Sequence, residues 1–336
     1  MKILAIETSC DETALALLEV WGGTRAPKIR VVKNLVASQI AIHAPFGGVV
    51  PNLAKREHIK NLPILFKELV PRPERYAPDI IAVTVGPGLE PALWTGINFA
   101  ETLKNEYFPN ATLVGTNHLE GHLCSFLLTK SRTPLRWPAI ALIVSGGHTI
   151  LIKMDSLTKW RMLGETRDDA VGEAFDKVAR ILNLPYPGGP EVERCAAEGN
   201  PDAIPFPRPM LHDKNYDFSF SGLKTSVLYY LRDNPKTPRA DVAASFQEAA
   251  TDVLTAKTAR AVQEFGAHTV LLSGGVAANR FLREHLASTS RELSAGFFAP
   301  SFKYNTDNAA MIGVAGYFAH LRKKRFPLRA DGTLGI

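Results

Sequence analysis

His118 and His122 stand four residues apart in His118-Leu119-Glu120-Gly121-His122. On a helix that spacing puts both imidazoles on one face, where they can share a metal ion. The zinc-peptidase pattern H-E-x-x-H sets its general base directly after the first histidine. Here that position is Leu119, and Glu120 points away from the shared face, so a metallopeptidase reading lacks its base. A histidine pair needs a third ligand. Asp307 offers one, in Asn305-Thr306-Asp307-Asn308-Ala309-Ala310-Met311-Ile312, although an aspartate opening an apolar helix can also be its N-cap. Two neutral imidazoles and a carboxylate suit iron or zinc, and they leave positions open for substrate oxygens, the mark of a catalytic site.

Ser145-Gly146-Gly147-His148-Thr149 and Ser273-Gly274-Gly275 let backbone N–H groups approach a ligand closely. Glycine has no Cβ to hold the ligand off, and exposed N–H groups attract phosphate oxygens. With Gly188-Gly189 they point to a nucleotide site; tight turns without a ligand are the alternative. Between Gly164 and Ala179, Ala170, Ala174, Phe175 and Val178 fall at helical spacing, with Asp169, Glu173 and Asp176 on a neighbouring face. Those carboxylates either form a solvated surface or accept hydrogen bonds from ribose hydroxyls. In Phe218-Ser219-Phe220-Ser221-Gly222-Leu223-Lys224-Thr225, the hydroxyls and the lysine could contact phosphate, while both phenylalanines could equally be core residues of a strand.

These residues must be held by elements that read as one plan used twice. Lys2 to Ile6 is an apolar run, then a polar turn, then Ala14 to Val20; Ala139 to Val144 is followed by the Ser-Gly-Gly turn and Ile150 to Ile152. Each pair predicts strand, turn, strand. Asp79 to Val85 meets Gly86-Pro87-Gly88 and a helical stretch from Pro91 to Glu106; His268 to Leu272 meets Ser273-Gly274-Gly275 and one from Ala278 to Ala287. Repetition in the same order predicts a duplicated α/β unit. Leu184 to Pro190, Pro201 to Pro209 and Arg232 to Pro238 read as loops or connectors, and Asp241 to Phe265 as a long helix.

The chain has 336 residues, 46% hydrophobic and 21% charged, enough for a buried core and about two domains. Three scattered cysteines, Cys10, Cys124 and Cys195, make a poor disulfide framework and fit a reducing compartment. No apolar run approaches the roughly 18 residues of a membrane helix, and the first residues do not form a signal peptide. A cytoplasmic location follows as the expectation. The net charge of +6 is compatible with a nucleic-acid partner. Its sharpest basic cluster is Arg322-Lys323-Lys324-Arg325, with a looser group at His43, Lys55, Arg56 and His58; a solvated surface is the alternative for both.

Taken together, several stretches resemble the bacterial and mitochondrial type of tRNA N6-adenosine threonylcarbamoyltransferase, formerly described as O-sialoglycoprotein endopeptidases. They are Glu7 to Thr13, Gly47 to Pro51, His118 to His122, Val144 to Thr149, Asp168 to Lys177, Tyr186 to Pro190, Phe218 to Thr225, Ser273 to Arg280 and Thr306 to Ile312, in family order over nearly the whole chain. The resemblance implies an α/β fold of the actin-like ATPase (sugar kinase and heat-shock protein) type, with two duplicated ribonuclease H-like lobes around a cleft. Residues 1–110 with 310–336 would form the N-terminal lobe. Residues 111–309 would form the C-terminal lobe and carry most of the nucleotide and metal site. It implies that His118, His122 and Asp307 bind one divalent metal, iron or zinc. It also implies an adenylate site at Ile143, Val144, Ser145, Gly146, Gly147, Asp176, Gly189, Glu193 and Asn279. The implied reaction transfers threonylcarbamoyl from threonylcarbamoyl-adenylate to N6 of the adenosine 3′ of the anticodon in tRNAs reading A-starting codons, releasing AMP. The implied partners are tRNA, a degenerate paralogous subunit and a small ATPase, with no membrane. No residue stands out as general base; Asp11 and Glu12 are the candidates. Glu90-Pro91, Trp94-Thr95, Ala277, Glu193 and Ala309 depart from the usual family residues. The competing readings are a metallopeptidase and a nucleotide-binding scaffold without catalysis.

Overall fold

The computed structural model describes residues 1–131, 134–324 and 326–336. The chain opens with β1 (Lys2–Glu7), β2 (Glu12–Trp21) and β3 (Lys28–Ser38), then α1 (Ile40–His43) and α2 (Pro51–Leu69). Next come β4 (Ile80–Gly86), α3 (Glu90–Glu106) and β5 (Thr112–Asn117), which runs directly into α4 (His118–Cys124). A second set follows: β6 (Ala139–Val144), β7 (Thr149–Ser156), β8 (Lys159–Glu165), then α5 (Val171–Ile181), α6 (Gly188–Ala196), α7 (Ser221–Asp233) and α8 (Arg239–Glu264). It ends with β9 (Thr269–Ser273), α9 (Arg280–Glu292) and β10 (Gly296–Phe298), and the chain returns through α10 (Ala309–Leu321).

The two five-stranded sheets have the same topology. The first has the order β3-β2-β1-β4-β5, and the second, read from its other edge, β8-β7-β6-β9-β10. In each, the first three strands are antiparallel and the last two join in parallel. The duplication read from the sequence is therefore a duplication of sheet topology. The parallel strands β4, β6 and β9 are buried along their whole length, which is why they read as unbroken apolar runs. Edge strand β3 instead alternates between exposed and half-buried residues.

The chain divides into two compact units, Met1–Lys130 with Pro300–Ile336, and Ser131–Ala299. These limits differ from the boundaries expected at 110 and 309, for a physical reason. Strand β5 pairs with β4 from Ile80↔Thr112 to Gly86↔Asn117, which ties residues 112–117 to the first sheet and carries the chain that follows, through Lys130, into the first unit. Helix α10, buried on all sides from Ala309 to Ala319, belongs to that unit as well. His118, His122 and Asp307 thus sit in the first unit, not the second. A smaller correction concerns Leu184 to Pro190. Helix α6 already starts at Gly188, and Pro190 lies in its first turn, where an absent N–H loses no helical bond.

Candidate metal centre and nucleotide cradle

Helix α4 starts at His118 because Asn117 caps it: its side-chain Oδ1 accepts from the N–H groups of Leu119 (2.8 Å) and Glu120 (3.2 Å). At the start of α10 the cap is Asn308, which accepts from Met311. The adjacent Asp307 is not the cap, and its carboxylate meets the two histidines instead. Its Oδ1 lies 3.1 Å from His122 Nε2 and 3.5 Å from His118 Nε2. One ligand atom from each of the three residues falls within 4.8 Å of the others. The other nitrogen of His118, Nδ1, lies 3.0 Å from Glu7 Oε2 and 3.2 Å from Ser9 Oγ. Glu7 is fully buried at the end of β1 and also accepts from Thr84 (2.7 Å) and from the Ser9 N–H (2.5 Å).

This donor set fits a divalent metal. A carboxylate on the far nitrogen of a ligating imidazole fixes its tautomer and aim, the usual outer partner of a histidine ligand. His122 Nδ1 is buried with no hydrogen-bond partner among the described residues, and the polar contact of that ring is the one Nε2 makes with Asp307 Oδ1 inside the cluster. Electrostatics agree. Burial alone would lower the pKa of His118, but Asp307 and Glu7 outweigh it and push it up to about 9. Glu12 is shifted upward as well: burial, then Asp307 and Asp11, raise its carboxyl well above the ordinary range. Carboxylates gathered this closely demand positive charge. Asp11 and Glu12, the residues considered as bases, lie in and just after the β1–β2 turn and belong to this acidic group, with Glu12 hydrogen-bonded to Asp11.

Glu120 lies elsewhere. It is buried, and its carboxylate pairs with Arg322 and with Lys324 (2.8 Å). It is unavailable as the base of a metallopeptidase, and two members of the sharpest basic cluster are spent on it; Arg325 lies outside the described residues. In the looser basic group only Lys55 and Arg56 are exposed; His43 and His58 are buried, with hydrogen bonds to Gln39 and Thr13.

The second unit holds a cavity of about 170 Å³ lined by Gly146, Asp176, Gly189, Glu193 and Asn279, five of the nine residues that the family resemblance implied for an adenylate. Ile143 and Val144 are buried in β6, and Ser145 closes the β6–β7 turn by accepting from His148 N–H (3.0 Å). Gly147 is exposed in the same turn. The polar members are held by backbone groups. Asp176 accepts from Gly188 (2.7 Å) and Gly189 (3.3 Å), Glu193 from Arg280 N–H (2.7 Å), and Asn279 caps α9 while donating to Gln247 (2.9 Å). Sequence reasoning missed Gly172, Phe175, Pro187, Pro190, Val276 and Ala278 as lining residues. Gly172 and Phe175 flank Asp176 on one helix face, which is the signal that could have found them.

The glycines here divide into two kinds. A Cβ on Gly274, at φ +94°, would sit 2.2 Å from Val144 O, so only glycine fits there. A Cβ on Gly146, Gly147, Gly189 or Gly275 would meet nothing within 4 Å. No packing demands glycine at those four positions; their bareness keeps backbone open to the cavity and the surface. The other acidic candidates are occupied. Asp169 pairs with Lys177 and Lys224, Glu173 with Lys177, and Asp168 accepts from Ser219, Phe220 and Ser221. Phe218 and Phe220 are fully buried core residues, while Ser219, Ser221 and Thr225 between and after them are half-buried and Lys224 is paired to Asp169.

A family pattern described as tRNA N6-adenosine threonylcarbamoyltransferase matches residues 30–314. Curated proteins of that name include one from Moorella thermoacetica, 49% identical over 97% of this chain and 94% of its own length. Another, from Thermotoga neapolitana, is 44% identical over the full length of both. The chain belongs to the tRNA N6-adenosine threonylcarbamoyltransferase family. Among solved structures, T. kodakarensis HypF aligns over 96% of this chain and 48% of its own, with a TM-score of 0.62 at 14% identity. An activator of 2-hydroxyisocaproyl-CoA dehydratase from Clostridium difficile covers 96% of both chains, with a TM-score of 0.53 at 15% identity. At such identities these two show the fold alone, the actin-like ATPase fold expected from the sequence. As a member of the threonylcarbamoyltransferase family, the chain is an acyltransferase acting on tRNA. The family's reaction takes threonylcarbamoyl-adenylate and the adenosine 3′ of the anticodon, in tRNAs reading A-starting codons, to AMP and the N6-modified base. No helix among the described residues is long and apolar enough to cross a membrane.

Proposed function

We propose that His118, His122 and Asp307 hold one divalent metal ion, iron or zinc, and that the glycine cradle of the second unit takes the adenylate of the donor. The observation that supports the metal reading is the convergence of His118 Nε2 and His122 Nε2 on Asp307 Oδ1, with Glu7 behind His118. When bound, the ion supplies Lewis acidity and a template for substrate oxygens. The chain's own residues do the rest. Glu7 fixes the His118 ring, and Asn308, by capping α10, leaves the Asp307 carboxylate for the ligand cluster. Backbone N–H groups at Gly146 and Gly147 stabilise charge on phosphate oxygens, while Gly189, whose own N–H donates to Asp176, leaves the cavity wall clear of a side chain. Ile143, Val144 and Ser145 shape the adenylate site through the strand that carries the turn, and Asp176, Glu193 and Asn279 brace its walls.

In the transfer, the N6 nitrogen bonds to the carbamoyl carbon, the carbon–oxygen bond to the phosphate breaks, and AMP departs with that electron pair. The proton lost from N6 passes to a carboxylate; Asp11 and Glu12 are the proposed acceptors. The donor is already activated, so holding two reactants in line is the main task, and such positioning can lower a barrier by roughly 7–11 kcal/mol. The target base lies in a loop and is splayed out without melting a duplex. We assign one lobe of the fold to each compact unit. The chain would work in the cytoplasm with a degenerate paralogous subunit and a small ATPase.

Nucleoside mass spectrometry of an unmodified tRNA, incubated with the purified chain, those partners and threonylcarbamoyl-adenylate, tests this. The expected result is a threonylcarbamoyl-adenosine peak that disappears with Asp307→Ala, together with the bound metal. An unchanged peak from metal-free protein would sink the metal reading.

A further inference from the structure

The helix that carries both candidate histidines, α4, is only seven residues long. So short a helix cannot fix its own orientation by internal hydrogen bonding. The chain that follows α10 holds it at three levels. Arg322 and Lys324 take the buried carboxylate of Glu120, in the middle of α4. Phe326 pairs antiparallel with Gly115 of β5, the strand that runs into α4; a Cβ on Gly115 would lie 2.9 Å from Phe326 O, so glycine there permits the pairing. Gly335 O accepts from the side-chain Nδ2 of Asn117 (2.8 Å), whose Oδ1 is already the N-cap of α4.

Between these points the same segment straps the β4–α3 turn. Asp331 N–H donates to Val85 O (2.9 Å), and Gly88 N–H donates to Gly332 O (3.3 Å). Gly88 in turn backs onto Ser9, where a Cβ would lie 2.6 Å from Ser9 O, and Ser9 Oγ reaches His118. None of these groups is a candidate ligand, yet each fixes something that touches one.

We infer that the segment after α10, through Arg322, Lys324 and residues 326–335, is a clamp that sets the orientation of the metal helix, with Asn117 and Glu120 as positioning residues. The inference rests on the metal reading above. It gives Asn117 two separable jobs. Its oxygen caps α4, which an aspartate does as well. Its amide N–H ties the helix to Gly335, which an aspartate cannot do, because a carboxylate facing a carbonyl oxygen has no proton to donate.

The test uses the full chain loaded with Co²⁺ as the probe, and compares wild type with Asn117→Asp, Glu120→Gln and a deletion of residues 331–336. Co²⁺ affinity is measured by chelator competition, site geometry by the visible absorption band, and stability by melting of the metal-free protein. With partners present, kcat and KM for tRNA are also measured. Asn117→Asp and the deletion are expected to weaken Co²⁺ binding about tenfold or more, the scale of losing an outer partner. They should shift the band and lower kcat with KM for tRNA unchanged. If the deletion does not fold, Asn117→Asp decides alone, since its cap is kept. Wild type that takes up no Co²⁺ overturns the metal reading and the clamp with it. Wild type that binds Co²⁺, with variants matching it in affinity and band, overturns the clamp alone, whatever happens to the melting temperature.

Discussion

The two units share a sheet topology and fill the same two turns with different residues. In the first unit the β1–β2 turn is rich in polar side chains: Glu7, Ser9, Asp11 and Glu12 all lie in or beside it. Its β4–α3 turn is filled, since a Cβ on Gly86 would lie 2.0 Å from Asp331 O and one on Gly88 2.6 Å from Ser9 O. In the second unit the β6–β7 turn is Ser145-Gly146-Gly147-His148, and in the turn after β9 Gly274 is packed against Val144 O while Gly275 faces open space. The candidate site of the first unit thus gathers ligand side chains, whereas that of the second combines open backbone at Gly146, Gly147 and Gly275 with the braced side chains of Asp176, Glu193 and Asn279. A sheet topology fixes where the turns fall; the residues placed there decide whether a turn becomes a ligand cluster or a cradle.

If the first unit works through side chains, single truncations there should be the most damaging. Asp307→Ala and His122→Ala are expected to abolish bound metal, as read by elemental analysis, and to remove tRNA modification. Glu7→Gln keeps an acceptor for His118 but loses the charge, and should cost about 10–100-fold in activity or metal affinity. A Glu7→Gln variant as inactive as Asp307→Ala would move Glu7 from a supporting role to a direct one.

The second unit should respond to added rather than removed atoms. A Cβ at Gly146 meets no protein atom, so the melting temperature of Gly146→Ala should match wild type, while the added methyl at the cavity lining raises the KM for threonylcarbamoyl-adenylate. Gly274→Ala should do the reverse. Its backbone strain alone costs roughly 1–3 kcal/mol, and its Cβ would strike Val144 O at 2.2 Å. Melting curves beside substrate titrations separate the two. Equal loss of stability in both variants would erase the distinction between structural and cradle glycines.

The strands of both units were legible because alternation and unbroken apolar runs report burial directly. Boundaries were harder to read. Whether 111–130 belongs to the first or second unit depends on pairing with β4, and whether 300–309 does depends on a helix returning from the other end of the chain; neither leaves a local trace. Asp307 and Asn308 are both good helix caps, so composition could not say which one caps and which turns to the histidines. Glu7 reads in sequence only as the polar residue that ends a strand. Its role exists because β1 ends beside the start of α4, more than a hundred residues later. In the second unit the glycines stood out as ligand contacts, while Pro187 and Val276, though inside the matching stretches, did not, because an apolar side chain carries no chemical sign that it lines a cavity.

The smallest expected effect concerns carboxylates in the second unit that the sequence offered to ribose. Asp169 is instead held between Lys177 (2.7 Å) and Lys224 (3.0 Å). Burial alone would raise its carboxyl, but the two lysines outweigh it and hold it below the ordinary 3.8. A carboxyl whose folded-state pKa is lowered adds stability above the unfolded value and loses it as pH falls through the folded one. Asp169→Asn should therefore lower the urea midpoint at pH 6–7 by an amount worth about 0.5–1 kcal/mol, because the pairs are partly exposed. The two curves should converge as pH drops below about 4. The same substitution should leave the KM for threonylcarbamoyl-adenylate unchanged. A raised KM with an unchanged acid limb would return Asp169 to the cradle and blur the division between its structural carboxylates and its open backbone.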